Sequence, residues 1–179
     1  MKNKSNLLRI LKLQVERKKT TLTSGKDSHY YVDCRPLVLD PYARVLITSQ
    51  IAQTLTTLFP IIPCREFQGI GGPTFSGAIM AVSFANLLSP YSLVIPFAYH
   101  TYKHNLIIPE GKIEKVVLID DVLSTGGTLW EMANKCDEMG WTIKGAVVLL
   151  DREEPESMTL KNRFPVVSVF TTRELDNEV

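Results

Sequence analysis

Cysteine is scarce and odd in number, three thiols in 179 residues. Cys34, Cys64 and Cys136 lie far apart with no Cys-x-x-Cys spacing, which excludes a disulfide framework or a thiolate metal site and reads as free thiols in a reducing cytosol. No apolar run approaches the length that crosses a bilayer. The basic N-terminal stretch has neither an uninterrupted apolar core nor a small-residue cleavage site, so it is not a signal peptide. Excess charge is missing too: the formal net charge is +1, with basic residues spread along the chain, which argues against nucleic-acid or membrane partners. Repeats and low-complexity tracts are absent. What remains is 45% hydrophobic and 22% charged residues, an ordinary globular balance that predicts a single domain over residues 1–179.

The pattern along the chain alternates helix and strand. Leu7, Leu8, Ile10, Leu11, Leu13 and Val15 among the charges of residues 2–19 predict an amphipathic first helix. Residues 21–35 predict two strands and a turn at Ser24-Gly25-Lys26. Asp40-Pro41 is a helix start, and Ala43, Ile47, Ile51, Leu55 and Leu58 line one face of the helix that follows and ends before Pro60. Residues 67–72 predict a short strand running into glycines, residues 78–88 a buried helix, and residues 93–96 a strand. Residues 97–112 carry no period and read as a movable loop or hairpin. An apolar strand with Asp120-Asp121 at its tip follows, then a helix with Leu129, Met132, Ala133, Cys136 and Met139 on one side, stopped by Gly140. Residues 143–150 and 166–170 predict two further strands. Such alternation predicts an α/β fold with a mostly parallel central sheet flanked by helices. Ligands bind such sheets at the carboxyl ends of the strands. Gly71-Gly72, Asp120-Asp121 and Asp151-Arg152 are all expected just past strand ends, converging on one rim.

The most informative segment is Val116-Val117-Leu118-Ile119-Asp120-Asp121-Val122-Leu123-Ser124-Thr125-Gly126-Gly127-Thr128. An apolar strand delivers two carboxylates, and a small-residue turn then opens into a helix. Gly126 and Gly127 let backbone approach a ligand, while Ser124, Thr125, Thr128 and the helix N-terminus offer donors to a phosphate. Asp120 and Asp121 can accept hydrogen bonds from sugar hydroxyls. No lysine follows the glycines as in a P-loop, and no G-x-G-x-x-G is present. An isolated Asp-Asp before a turn is usually turn and cap chemistry; all thirteen positions together favour the anion cradle.

These thirteen residues resemble the 5-phosphoribosyl diphosphate (PRPP) signature of the type I phosphoribosyltransferases. Two further segments are similar to the orotate phosphoribosyltransferases: Leu22-Thr23-Ser24-Gly25-Lys26-Asp27-Ser28-His29-Tyr30-Tyr31-Val32-Asp33, where that family has a hood over the base, and Leu149-Leu150-Asp151-Arg152-Glu153, where its orotate-pairing arginine sits. The resemblance covers about residues 21–152. It implies that Asp120 and Asp121 hold the ribose diol and that Val122, Leu123, Ser124, Thr125, Gly126, Gly127 and Thr128 wrap the 5′-phosphate. It implies base or diphosphate contacts for Lys26, Tyr30, Tyr31, Thr74, Phe75 and Arg152, and a catalytic role for Lys103. Residues 1–35 would contribute to the hood. The implied reaction gives orotidine 5′-phosphate and diphosphate in pyrimidine synthesis, with Mg²⁺ bound mainly through PRPP, in a cytoplasmic homodimer whose loop reaches the neighbouring site. Bland alternatives exist for single residues: Arg152 as a surface arginine beside acids, Tyr30 and Tyr31 as strand packing, Lys103 as a solvated loop lysine.

Several positions depart from the family. Its loop carries an Arg-Lys pair where this chain has Tyr99-His100; Lys103 matches the later lysine, and His104 stands one place before the expected histidine, at Asn105. Thr23 and Ser76 occupy positions where some members have lysine. Fewer cations imply weaker diphosphate binding. Two other readings therefore stay open, a transferase for another nucleobase and a PRPP-binding regulatory protein with an altered loop.

Overall fold

A strand that is apolar at every position must be covered on both faces, because successive side chains point to opposite sides. The computed structural model, which describes residues 2–16, 20–21, 27–28, 31–59, 67–87, 93–96 and 113–176, shows this arrangement. The elements are α1 (Lys2–Lys12), β1 (Val15–Glu16), β2 (Thr20–Thr21), β3 (Asp27–Ser28), β4 (Tyr31–Val32), α2 (Arg35–Leu39), α3 (Pro41–Leu55), β5 (Gly69–Gly72), α4 (Phe75–Ala85) and β6 (Leu93–Pro96), then β7 (Lys115–Leu123), α5 (Gly127–Glu138), β8 (Thr142–Asp151), α6 (Ser157–Arg163), β9 (Val166–Thr171) and α7 (Thr172–Asp176). Five strands pair in the order β6-β5-β7-β8-β9, every pair parallel. Val117, Ile119, Val147 and Leu149 join a core with α1, α2, α3 and α4. Val116, Leu118, Ala146 and Val148 join a second core with α5 and α6. The α/β fold with a parallel sheet between helices is thus as the alternation predicts.

Local chemistry explains the helix starts. Asp40 caps α3 by accepting from the Ala43 amide at 2.7 Å, with Pro41 in the first turn, and Ala43, Ile47, Ile51 and Leu55 are buried along its inner face. Cys136 is buried on the apolar stripe of α5 with Leu129, Met132 and Ala133.

Several expectations need correction. The first helix ends at Lys12 rather than near residue 19: a turn follows, Leu13 is left exposed, and Val15 pairs with Val32 in a strand. β-branched Val15 packs better from that strand than from another helical turn. α4 begins at Phe75, earlier than residue 78, because Thr74 caps it by accepting from the Gly77 amide at 2.9 Å. α4 is also not buried all round, since Phe75 and Val82 are exposed. The short helices α2, α6 and α7 were not foreseen. The loop at residues 97–112 lies outside the described residues, as do Lys26 and Tyr30. Among the described residues no helix is long and apolar enough to cross a membrane.

Strand register sets the rim. Gly71 pairs with Leu118, so β5 finishes while β7 runs on, and Leu123 at the end of β7 pairs with Asp151 at the end of β8. Asp120 and Asp121 therefore lie inside β7, beyond the end of β5 only. This corrects the expected placement past their own strand end; pairing with β8 carries β7 further than its apolar run.

Candidate active site

Two glycines let the end of β5 and the start of α4 press against β7. A Cβ on Gly72 would fall 2.1 Å from the Gly77 backbone carbon, and one on Gly77 would fall 2.6 Å from the Ile119 carbonyl oxygen. No side chain fits there. The close approach brings Thr74 to Asp120: the Thr74 hydroxyl donates to Asp120 Oδ1 at 2.6 Å and accepts from the Gly77 amide at 2.9 Å. Asp120 Oδ1 also accepts from the Asp121 amide at 3.0 Å, and Asp121 Oδ1 accepts from the Val122 amide at 3.0 Å.

Asp120 is 2% exposed and Asp121 half-buried. Burial, then the like charge of Asp121, pushes the Asp120 carboxyl well above the ordinary carboxylate range, while the Thr74 hydrogen bond pulls it back. Two residues not singled out for a role at this site lie within its electrostatic reach. Cys34, at the start of α2, is buried; its thiol is pushed well up by desolvation, then by Asp121, Asp33 and Asp120. Arg35 chelates Asp33 through Nε at 2.8 Å and Nη2 at 2.7 Å. This holds the Asp33 carboxyl below its ordinary range. Arg35 is raised above its own ordinary value first by the Asp33 hydrogen bond, with smaller contributions from Tyr31 and Asp121. Only their nearness in sequence to the hood segment hinted at this.

After β7 the chain makes the turn that the small residues foretold. Gly126 is buried in the left-handed region at φ 87, where a side chain would be strained, and it stands at the N-cap of α5 with no side-chain cap. Gly127 is exposed, and a Cβ there would meet nothing nearer than Thr125 Oγ1 at 3.8 Å. The two glycines thus have different reasons: Gly126 serves the turn, and Gly127 leaves room in front of it. Ser124, Thr125 and Thr128 are half-buried around that space, Val122 packs against the core and Leu123 is buried. Uncapped helix amides, hydroxyls and the positive helix end make an anion site.

Arg152 follows β8 directly, and its amide donates to the Leu123 carbonyl at 2.9 Å, which ties the tips of β7 and β8 together. Its side chain is 10% exposed and pairs through Nη2 with Glu154 Oε1 at 3.1 Å. Asp151 braces the corner, accepting from Lys161 Nζ at 2.6 Å and from the Glu153 amide at 2.8 Å; Glu153 has a positive φ of 56. Tyr31 is half-buried in β4, opposite Glu16. Phe75 is exposed beside Thr74, and Ser76 is buried in the first turn of α4. Lys26, Tyr30 and Lys103 lie outside the described residues; the structure joins Thr74 to Asp120 at the strand end that leads into residues 122–128, leaves Phe75 exposed beside Thr74, and sets Arg152 one strand away.

Two outcomes follow from this geometry. Gly127→Ala should fold with a stability change within about 0.5 kcal/mol yet lose about tenfold in PRPP affinity by calorimetry; unchanged affinity would show that ligand does not approach there. Asp120→Asn should weaken PRPP binding by about 1–3 kcal/mol while stabilising the protein at neutral pH. Because the folded carboxyl is raised above its unfolded value, the folded state binds more protons between the two, so wild-type stability falls as pH climbs through that window. Thermal melting should show the variant's advantage at about pH 8 and none at about pH 4; a pH-independent difference would contradict the buried charge.

A family model described as "Phosphoribosyl transferase domain" matches residues 45–179. An orotate phosphoribosyltransferase of Methanosphaera stadtmanae is 31% identical over 96% of this chain and 95% of its own length, and one of Methanothermobacter thermautotrophicus is 33% identical over 78% and 74%. Among solved structures, Leishmania donovani UMP synthase superposes with a TM-score of 0.79 at 28% identity, covering 95% of this chain and 36% of that one. The Aeropyrum pernix orotate phosphoribosyltransferase, at 22% identity and a TM-score of 0.75 over 94% and 95%, shares the fold. The cradle described above lies within the matched span, and the chain belongs to the orotate phosphoribosyltransferase family of phosphoribosyltransferases.

Proposed function

We propose that this protein transfers the 5-phosphoribosyl group of PRPP to orotate, giving orotidine 5′-phosphate and diphosphate. The observation that carries the reading is the junction of the Asp120-Asp121 pair with the Ser124–Thr128 anion loop, supported by relatives named orotate phosphoribosyltransferase over nearly the whole chain. The 5′-phosphate sits on the amides at the start of α5, and the ribose hydroxyls donate to Asp120 and Asp121. The base nitrogen displaces diphosphate at C1 with inversion, through a transition state of oxocarbenium character. Lys103 neutralises charge building on the leaving group, and the 97–112 loop excludes water that would otherwise hydrolyse the sugar.

The carboxylates of Asp120 and Asp121 at the rim suit a hard cation brought in on phosphates, so Mg²⁺ arriving mainly through PRPP would lie against them. When bound it stabilises charge on the diphosphate. Arg152 recognises the base carboxylate or carbonyl edge with its guanidinium fork, sharing that fork with Glu154. Residues 1–35 contribute to a hood over the base site, in one domain with the rest of the chain, and the enzyme works in the cytoplasm as a homodimer.

Orotate absorbance followed with PRPP and Mg²⁺ should show turnover, and Arg152→Gln should raise the orotate KM by about tenfold with little change in the PRPP KM. Turnover of another base instead of orotate would move the assignment within the family, and PRPP binding without any product would favour a regulatory role. Separately, inactive Lys103→Ala and inactive Asp121→Asn proteins, co-refolded, should regain partial activity as mixed dimers. An inactive mixture would place the loop in its own subunit's site.

A further inference from the structure

We propose that Thr74 is a positioning residue: its hydroxyl fixes the Asp120 carboxylate so that one oxygen faces the ribose, and it ties that grip to the β5–α4 turn beside the leaving group. This rests on the transfer reading above and gives Thr74 a role other than direct contact with substrate. The hydroxyl is committed in both directions, donating to Asp120 Oδ1 at 2.6 Å and accepting from the Gly77 amide at 2.9 Å. Asp120 Oδ1 thus receives two donors, Thr74 and the Asp121 amide at 3.0 Å. Both bonds fall on the same oxygen, which orients the carboxylate plane and assigns Oδ2 to the sugar hydroxyl.

Burial makes the bond hard to replace. At 2% exposure Asp120 has little access to water, and a buried acceptor that loses its donor keeps the desolvation penalty. The surroundings are close-packed as well, since a Cβ on Gly77 would lie 3.0 Å from both Asp120 Oδ1 and Thr74 Oγ1. Thr74 hydrogen-bonding also opposes the combined effect of burial and Asp121, which favours the protonated acid. A protonated Asp120 is a poorer acceptor for a ribose hydroxyl. Through the Gly77 amide the same hydroxyl draws on the positive N-terminal end of α4. Anything that shifts the β5–α4 turn, including departure of diphosphate, is therefore felt at the sugar.

The test separates positioning from helix capping. Thr74→Val keeps the shape and removes both hydrogen bonds, Thr74→Ser restores them, and Asp40→Ala removes the cap of α3, an equivalent bond at 2.7 Å in another helix. PRPP affinity by calorimetry on the intact protein should fall about tenfold in Thr74→Val and return to within about threefold in Thr74→Ser, with the orotate KM unmoved. Asp40→Ala should lower the melting temperature and leave PRPP affinity alone. Wild-type affinity in Thr74→Val, or a Thr74→Ser as weak as Thr74→Val, would overturn the positioning role while leaving the transfer reading intact. A wild-type protein that binds no PRPP would overturn the transfer reading itself, and this proposal with it.

Discussion

A carboxylate held almost dry at the meeting of three elements is the constraint around which this molecule is arranged. Keeping Asp120 buried beside Asp121 works against stability, and its environment is built to limit that cost: a threonine hydroxyl, a backbone amide and the end of α4 all face it. The glycines at 72 and 77 follow from the same demand, because a side chain at Gly72 would push α4 off β5 and one at Gly77 would push it off β7. A buried polar network of this kind is stable only when each member is satisfied. The apolar cores on either side of the sheet supply the rigidity that holds the network in place.

The site divides its labour between neighbouring strand tips. β7 presents acids and then an anion loop, whereas β8 ends in a braced corner where Asp151, Lys161 and the left-handed Glu153 hold the chain that bears Arg152. One amide-to-carbonyl bond, Arg152 to Leu123, joins the two tips. The two tips are thereby coupled, so the acids of β7 and the arginine after β8 cannot drift independently. Negative charge at Asp33 is offset on the α2 side by the two-point grip of Arg35.

The five strands of the main sheet and helices α3 and α5 were legible in the chain because of patterns such as the continuous apolar runs of β7 and β8 and the four-residue stripes of α3 and α5, whereas two-residue β1 was hidden in what read as the first helix. The thirteen-residue signature was legible because strand, acids, turn and helix start occur in unbroken order. Short helices were not. α2, α6 and α7 span at most two turns, too few positions for a stripe, and α6 begins without a side-chain cap. The start of α4 was hidden by Gly77, which reads as a turn residue until its close approach to Ile119 is seen. Likewise no local pattern announces that Thr74 meets Asp120, since 46 residues separate them and only the parallel register of β5 and β7 brings them together.

Cys34 carries a consequence of its own. Its thiol is buried at the edge of the acid cluster, and both desolvation and the neighbouring carboxylates suppress the thiolate that reacts with alkylating reagents. Modification of this sulfur in the native protein therefore requires a local opening that exposes Cys34, so the rate of labelling is a clock for opening beside the paired acids. A ligand that ties the twin acids down would slow that clock, turning an unremarkable core cysteine into an internal gauge of how tightly the rim is closed.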